Sequence, residues 1–181
     1  NVIFTFAKAL FDTKQTEAAI NAYNLGLSQD PNNIDGLYQL ALLLQSIGDQ
    51  KGAVKRYKAL LQTDPDNAKA LSNLSAATRI TGALDEAVQC GERALALQPE
   101  FSDAHNNLGL ALYAKGNSAK AIPHFEAALQ IAEKRYETLN NLGVAQQACG
   151  NFKDAEITLR QALSLESSDI TSPAAERNLG N

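Results

Sequence analysis

Apolar residues recur at helical spacing along this chain, in short stretches separated by glycine and proline. Leu37, Leu40, Ala41 and Leu44 make one stripe, and Ala53, Val54, Tyr57, Leu60 and Leu61 make the next. Residues three and four apart share one face of a helix, so each stripe predicts an amphipathic helix with one buried side. Gly48 stands between the two, and glycine returns at Gly82, Gly116 and Gly150. Only glycine takes the left-handed C-terminal conformation without steric penalty, so these positions predict helix stops. The second stripes close at Asp30-Pro31, Asp64-Pro65 and Gln98-Pro99. Proline disfavours helix in the residue before it and suits the opening of the next turn.

The punctuation is periodic. Pro31, Pro65 and Pro99 stand 34 residues apart, as do the four glycines, Ala19, Ala53, Ala87, Ala121 and Ala155, and Leu40, Leu74, Leu108 and Leu142. Leu27, Leu61, Leu95, Leu129 and Leu163 keep the same interval in the same phase. A fixed period shared by several residue types means that one two-helix unit is repeated. The alanines then have a mechanical reading, since a small side chain at a helix crossing allows close approach.

Leu71, Leu74-Ser75, Gly82, Ala87, Ala94 and Pro99, and again Leu108-Gly109, Leu112, Gly116, Ala121, Phe125 and Ala128, resemble the tetratricopeptide repeat, the 34-residue helix–turn–helix unit. The resemblance covers essentially the whole chain as a single array, with units at about 1–33, 34–67, 68–101, 102–135 and 136–169 and a remnant at 170–181. It implies an all-α α-solenoid, a right-handed superhelix of stacked antiparallel helical hairpins, with a concave face lined by the first helix of each unit. Asn178-Leu179-Gly180 repeats Asn141-Leu142-Gly143 at 37 residues instead of 34, which implies an insertion, with Ser172-Pro173 as cap and first helical residue. The absence of an initiating Met and a stop within a helix suggest a piece of a longer protein. Three departures stand out. Gly91 replaces the aromatic found at Tyr23, Tyr57 and Phe125, which predicts looser packing there. No proline closes the 102–135 unit, so Ile131 to Arg135 would carry helix further than in its neighbours. Pro123 lies inside a second helix, early enough to remove one hydrogen bond near its start.

Composition narrows the function. The chain has 181 residues, 45% apolar and 20% charged, with a formal net charge of −4. There is no basic surplus for a phosphate backbone, so nucleic acid is not expected as a partner. The longest unbroken apolar run, Leu40 to Leu44, is far short of the roughly 20 residues of a membrane helix, so direct membrane insertion is not expected and a cytoplasmic setting is the default. Two cysteines and two histidines, with no Cys-x-x-Cys pair, do not make a zinc site, and no phosphate-binding glycine loop is present. No cofactor and no catalytic residue is expected. Cys90 and His124 stand 34 apart, at equivalent places on adjacent second helices, where two ordinary convex-side residues are the simpler reading than a reactive pair.

The expected activity is protein binding in the concave groove. Helical spacing and the resemblance put Phe4, Phe11, Tyr38 and Leu42 on that face near the N-terminus, an apolar lining for an anchor side chain, with Lys8 and Gln39 beside them. Further along, Asn73, Asn107 and Asn141 recur every 34 residues with Asn106, Asn140 and Gln147 alongside, and Arg79 and Tyr113 share those helices. Amides both donate and accept, so such a row could pair with the backbone of an extended peptide, similar to the asparagine ladder of repeats attached to O-linked N-acetylglucosamine transferases. The alternative is a row of merely solvated amides.

The two-carboxylate clamp of chaperone-tail binders is not matched. Its Lys, Asn, Asn, Lys and Arg correspond here to Tyr38, Leu42, Asn73, Asp103 and Asn107. One unit later, Glu137 would oppose the ligand's own carboxylate. Val2, Ile3, Phe4, Phe6, Leu10 and Phe11 make the first helix more apolar than a terminal cap should be, which calls for a missing upstream repeat or, second, self-association. The leading reading is therefore a non-enzymatic scaffold holding a partner peptide or helix. The alternatives are a substrate-recruiting region of a larger enzyme, such as a glycosyltransferase, and a structural subunit of an assembly.

Overall fold

The computed structural model describes residues 2–132 and 135–170. Ten helices are found there, and no strand. They are α1 (Val2–Asp12), α2 (Thr16–Gln29), α3 (Ile34–Ser46), α4 (Gln50–Thr63), α5 (Ala68–Ile80), α6 (Leu84–Leu97), α7 (Ser102–Ala114), α8 (Ser118–Ile131), α9 (Tyr136–Ala148) and α10 (Phe152–Ile170). The chain divides into two compact units, Asn1–Gln98 and Pro99–Asn181, at the third proline joint. The first holds hairpins α1/α2, α3/α4 and α5/α6, and the second holds α7/α8 and α9/α10.

One backbone device closes the first helix of every hairpin. Gly48 donates to the Gln45 carbonyl at 3.0 Å, and Asp49 reaches back to the Leu44 carbonyl at 2.8 Å. This crossed pair is the Schellman closure, which needs a left-handed residue in its middle. Gly48, Gly82, Gly116 and Gly150 supply it, with φ between 81° and 87°. The turn between α1 and α2 makes the same two bonds, Lys14 to Phe11 and Gln15 to Leu10, both 2.9 Å. Here the left-handed position is Lys14, at φ 62°.

The joints between hairpins are closed by side chains. Asn33 and Asn67 cap α3 and α5, accepting from the N–H groups of Gly36 at 2.8 Å and Ala70 at 2.9 Å. Each Asn also donates to the Asp three residues before it, Asp30 or Asp64, at 2.9 Å. Asp-Pro-x-Asn is thus a self-bonded turn that satisfies helix-end donors. Phe101 and Arg135 precede α7 and α9 without a side-chain cap bond.

Small residues let the helices of each hairpin approach. Ala19, Ala53, Ala87 and Ala121 have no exposed surface, and Ala155 is 3% exposed. Around them Tyr23, Leu37, Leu40, Tyr57 and Leu60 are buried in the first unit, and Leu108 and Phe125 in the second. Truncating one of these leucines to Ala would cost about 2–5 kcal/mol. Across α7/α8 the Phe125 ring covers Gly109, where a Cβ would stand 2.6 Å from it. The equivalent place in α5/α6 has Gly91 buried, and there the Ser75 hydroxyl donates to the Ala87 carbonyl at 2.7 Å. A polar bond spans the hairpin where the aromatic is missing.

The proline-free joint departs from expectation. Helix α8 ends at Ile131, and Ala132 is extended at φ −130° and ψ 92°. It is 14 residues long, like α4 and α6, so local helix preference yields to the packing of α9 back onto α8. The long second helix is instead α10, which runs 19 residues to Ile170. Ser172-Pro173 and Asn178-Leu179-Gly180 lie outside the described residues.

Candidate functional site

The first helices carry the residues expected to meet a partner, and the structure sorts them. Phe4 is the clear correction. It is 7% exposed and stacks on Tyr23, with ring centroids 6.4 Å apart. A Cβ on Gly26 or Gly36 would lie within 2.6 Å of its ring, so Phe4 fills a slot made by two glycines. Helical spacing alone does not distinguish this inward face from the groove face, because the stripe on α1 is apolar nearly all round. Phe11 and Lys8 remain exposed on α1. A shallow cavity of about 430 Å³ lies beside them, lined by Thr5, Lys8, Tyr23, Asn33 and Asp35 with an edge of Phe4.

In α3 and α5, Tyr38, Gln39, Leu42, Asn73 and Arg79 are half-buried. Asn73 donates its Nδ2 to the Tyr38 hydroxyl at 3.1 Å, which ties neighbouring first helices together. Beneath them Tyr57 has no exposed surface, meets the Tyr38 ring edge-on at 6.1 Å and donates its hydroxyl to Gln45 Oε1 at 2.6 Å. Burial raises the Tyr57 phenol well above its ordinary value, with Tyr38 adding to the effect and Asn73 opposing it. The Tyr57 phenol therefore stays protonated at neutral pH and keeps its proton for Gln45. On the last turn of α5, burial lowers the pKa of Arg79, and its Nε has no hydrogen-bond partner among the described residues. Arginine stays charged at neutral pH regardless, so Arg79 offers donors to an incoming acceptor.

The second unit repeats the device with different residues. Asn141 on α9 donates its Nδ2 to Asn106 Oδ1 on α7 at 3.1 Å. The two pairs Tyr38–Asn73 and Asn106–Asn141 both join residues 35 apart. Asn140 and Asn141 line a cavity of about 600 Å³ with Tyr136, Glu137, Leu159, Ala162 and Leu163. Gln147 lines a second, more apolar one of about 380 Å³ with Phe152 and Arg160. Asn107 is half-buried, and Tyr113 is exposed on α7. Asp103, near the start of α7, is ion-paired with Arg135.

Three features lay outside sequence reasoning. The left-handed Lys14 was hidden because a lysine there breaks the glycine series. Tyr57 reads as a core plug, and only the structure brings its hydroxyl to Gln45. The two histidines, placed on different helices, also face each other across α7/α8. As for the cysteine, burial first and Glu86 second push the Cys90 thiol up to about 11, so it is protonated at neutral pH and a poor nucleophile.

Profiles described as tetratricopeptide repeat match residues 100–167 and 35–67, and one described as TPR repeat matches residues 7–48 and 76–116. A crystal structure of MamA is 26% identical, with a TM-score of 0.81, over 92% of this chain and 97% of that one. PilF of Pseudomonas aeruginosa is 22% identical with a TM-score of 0.77, covering 90% of this chain and 74% of that one. TTC0263, a thermophilic TPR protein of Thermus thermophilus, is 22% identical with a TM-score of 0.72, covering 93% and 92%. No curated protein matches the sequence. Among the described residues, no helix is long and apolar enough to cross a membrane.

Proposed function

The chain belongs to the tetratricopeptide repeat family, all-α helical-repeat solenoids that act as protein-interaction scaffolds and are typically not enzymes. On that premise we propose that, within each compact unit, the first helices form a binding face and hold an extended partner segment through their tyrosine and asparagine side chains.

The observation that carries this reading is the recurring side-chain link at 35 residues, Tyr38–Asn73 in one unit and Asn106–Asn141 in the other. An amide has two N–H donors and an oxygen with two lone pairs, and the link uses one donor of each second-named Asn. The remaining capacity of Asn73 and Asn141 is held in place on half-buried side chains. Ordering a free side chain at an interface costs about 0.5–1.5 kcal/mol, and here that ordering precedes binding. Backbone N–H and C=O groups of an extended segment are natural partners for such amides, with little reading of sequence. Selectivity would come from the flanking chemistry, Arg79 in the first unit and Glu137 beside Asn140 in the second. A purely acidic tail fits the second unit poorly, since Glu137 would face it.

The test begins with affinity capture on the intact chain, followed by calorimetric titration of the captured partner's binding segment. Asn107→Ala with Asn141→Ala is expected to weaken binding about tenfold, as one or two hydrogen bonds of about 1 kcal/mol are lost. The melting temperature should move by no more than about 3 °C. Unchanged affinity in the double variant would overturn the amide-row reading.

A further inference from the structure

The chain has two histidines, and the fold sets them face to face. His105 lies in the first turns of α7 and His124 in the middle of α8, both half-buried at the edge of the hairpin. Their Nδ1 atoms are 3.2 Å apart, with ring centroids at 5.4 Å and a tilt of 35° between the rings. The other nitrogen of His105, Nε2, is 3.0 Å from the Pro99 carbonyl oxygen. A carbonyl only accepts, so Nε2 carries the proton, and in the neutral ring this leaves the lone pair of His105 on Nδ1, toward His124.

We propose that His105 and His124 form a binding site for a divalent transition-metal ion that favours imidazole, such as Zn²⁺ or Cu²⁺, with the two Nδ1 atoms as ligands and water completing the shell. The spacing fits the bite of such an ion. Two metal–nitrogen bonds of about 2.05 Å put their nitrogens about 3.3 Å apart at a tetrahedral angle and about 2.9 Å apart at a right angle. The Pro99 carbonyl plays the part that backbone carbonyls commonly play behind a ligating histidine, fixing ring orientation and tautomer. Both rings lie half-buried at the edge of the hairpin, within reach of an ion from solvent. Among the described residues, no third His, Cys, Asp or Glu joins them. The described residues thus supply two ligands where a closed structural zinc site has four, and the remaining coordination positions would fall to water or to a donor atom of a bound partner.

The experiment uses the full chain without an affinity tag, its exposed Cys149 thiol first blocked with iodoacetamide. Titration with CuCl₂ is expected to show one saturable site, with nitrogen hyperfine structure from two imidazoles in the electron paramagnetic resonance spectrum. ZnCl₂ should raise the melting temperature, and EDTA should reverse the rise. His124→Gln, which leaves the Pro99 contact in place, and His105→Asn should each lower affinity by at least about tenfold, since even loss of a supporting group behind a ligand costs about 10–100-fold. Circular dichroism of both variants checks that the hairpin still folds. Absence of saturable binding in the folded wild-type chain would overturn the proposal. So would binding that survives unchanged in both folded variants. Either result would identify the contact as a simple imidazole–imidazole hydrogen bond.

Discussion

Lys14 holds the position that glycine holds in the turn within each of the other four hairpins, and replacing it with glycine should stabilise the protein. The four glycines at this place have φ between 81° and 87°, and a Cβ there would meet nothing within 4 Å, so their need for glycine is purely one of backbone conformation. Lys14 adopts φ 62° and makes the same two closing bonds as they do. A non-glycine residue in the left-handed region is disfavoured by about 1–2 kcal/mol. Glycine also loses more backbone freedom on folding, which offsets part of the gain, about 0.5–1 kcal/mol. The net expectation for Lys14→Gly is a gain of about 0.5–1 kcal/mol, a shift of about 1–4 °C in melting temperature for a chain of this size. Because the substitution acts on the turn between α1 and α2, the gain should be largest in the hydrogen-exchange protection of residues 7–23. The reciprocal substitution, Gly82→Lys, should destabilise by at least about 1 kcal/mol. Calorimetric melting and hydrogen exchange measure both. If Lys14→Gly leaves stability and exchange unchanged while Gly82→Lys is clearly destabilising, the left-handed strain assigned to Lys14 is refuted.

Further outcomes rest on two buried groups. Tyr57→Phe keeps the ring but leaves Gln45 Oε1 without its donor, so chemical denaturation should show a loss of about 1–2 kcal/mol. Cys90, whose thiol is pushed up from 9.0 to about 11, should react with iodoacetamide far more slowly than the exposed Cys149 at pH 8, read by mass spectrometry. The same shift has a thermodynamic sign: between pH 9 and 11 the unfolded chain releases this proton while the folded chain keeps it, so Cys90 contributes falling stability as pH rises through that window. Equal labelling of the two cysteines in the native state would contradict the burial of Cys90.

The period was legible because its signals are backbone requirements that few residues meet. Left-handed φ at Gly48, Gly82, Gly116 and Gly150 and the complete burial of Ala19, Ala53, Ala87 and Ala121 are local or nearly local demands, and each leaves a fixed residue type behind. What stayed hidden depends on distance in space. Phe4 looked like a groove residue because its role is set by Gly26 and Gly36, which lie on two other helices. The end of α8 at Ile131 carries no proline and is decided by the helix that follows it. His105 and His124 are separated by 19 residues on different helices, and no periodic rule brings their rings together. The amide row was visible as residues, yet its internal bonds, Tyr38 to Asn73 and Asn106 to Asn141, were not, since they join residues one register off the repeat.

The self-bonded Asp-Pro-x-Asn joints have an evolutionary consequence. Asp30 with Asn33, and Asp64 with Asn67, make their Asp–Asn bond and the cap of the following helix within the turn itself, and Arg93 of α6 adds an outside bond to Pro65 and Asp66 in the second turn. A gene segment cut at one such joint and rejoined at another would encode a turn whose Asp–Asn bond and helix cap are already in place. Unequal recombination could then lengthen or shorten the array by whole units in a single step. Selection would then judge chiefly the new face, because the core bonds of the hinge travel with the segment.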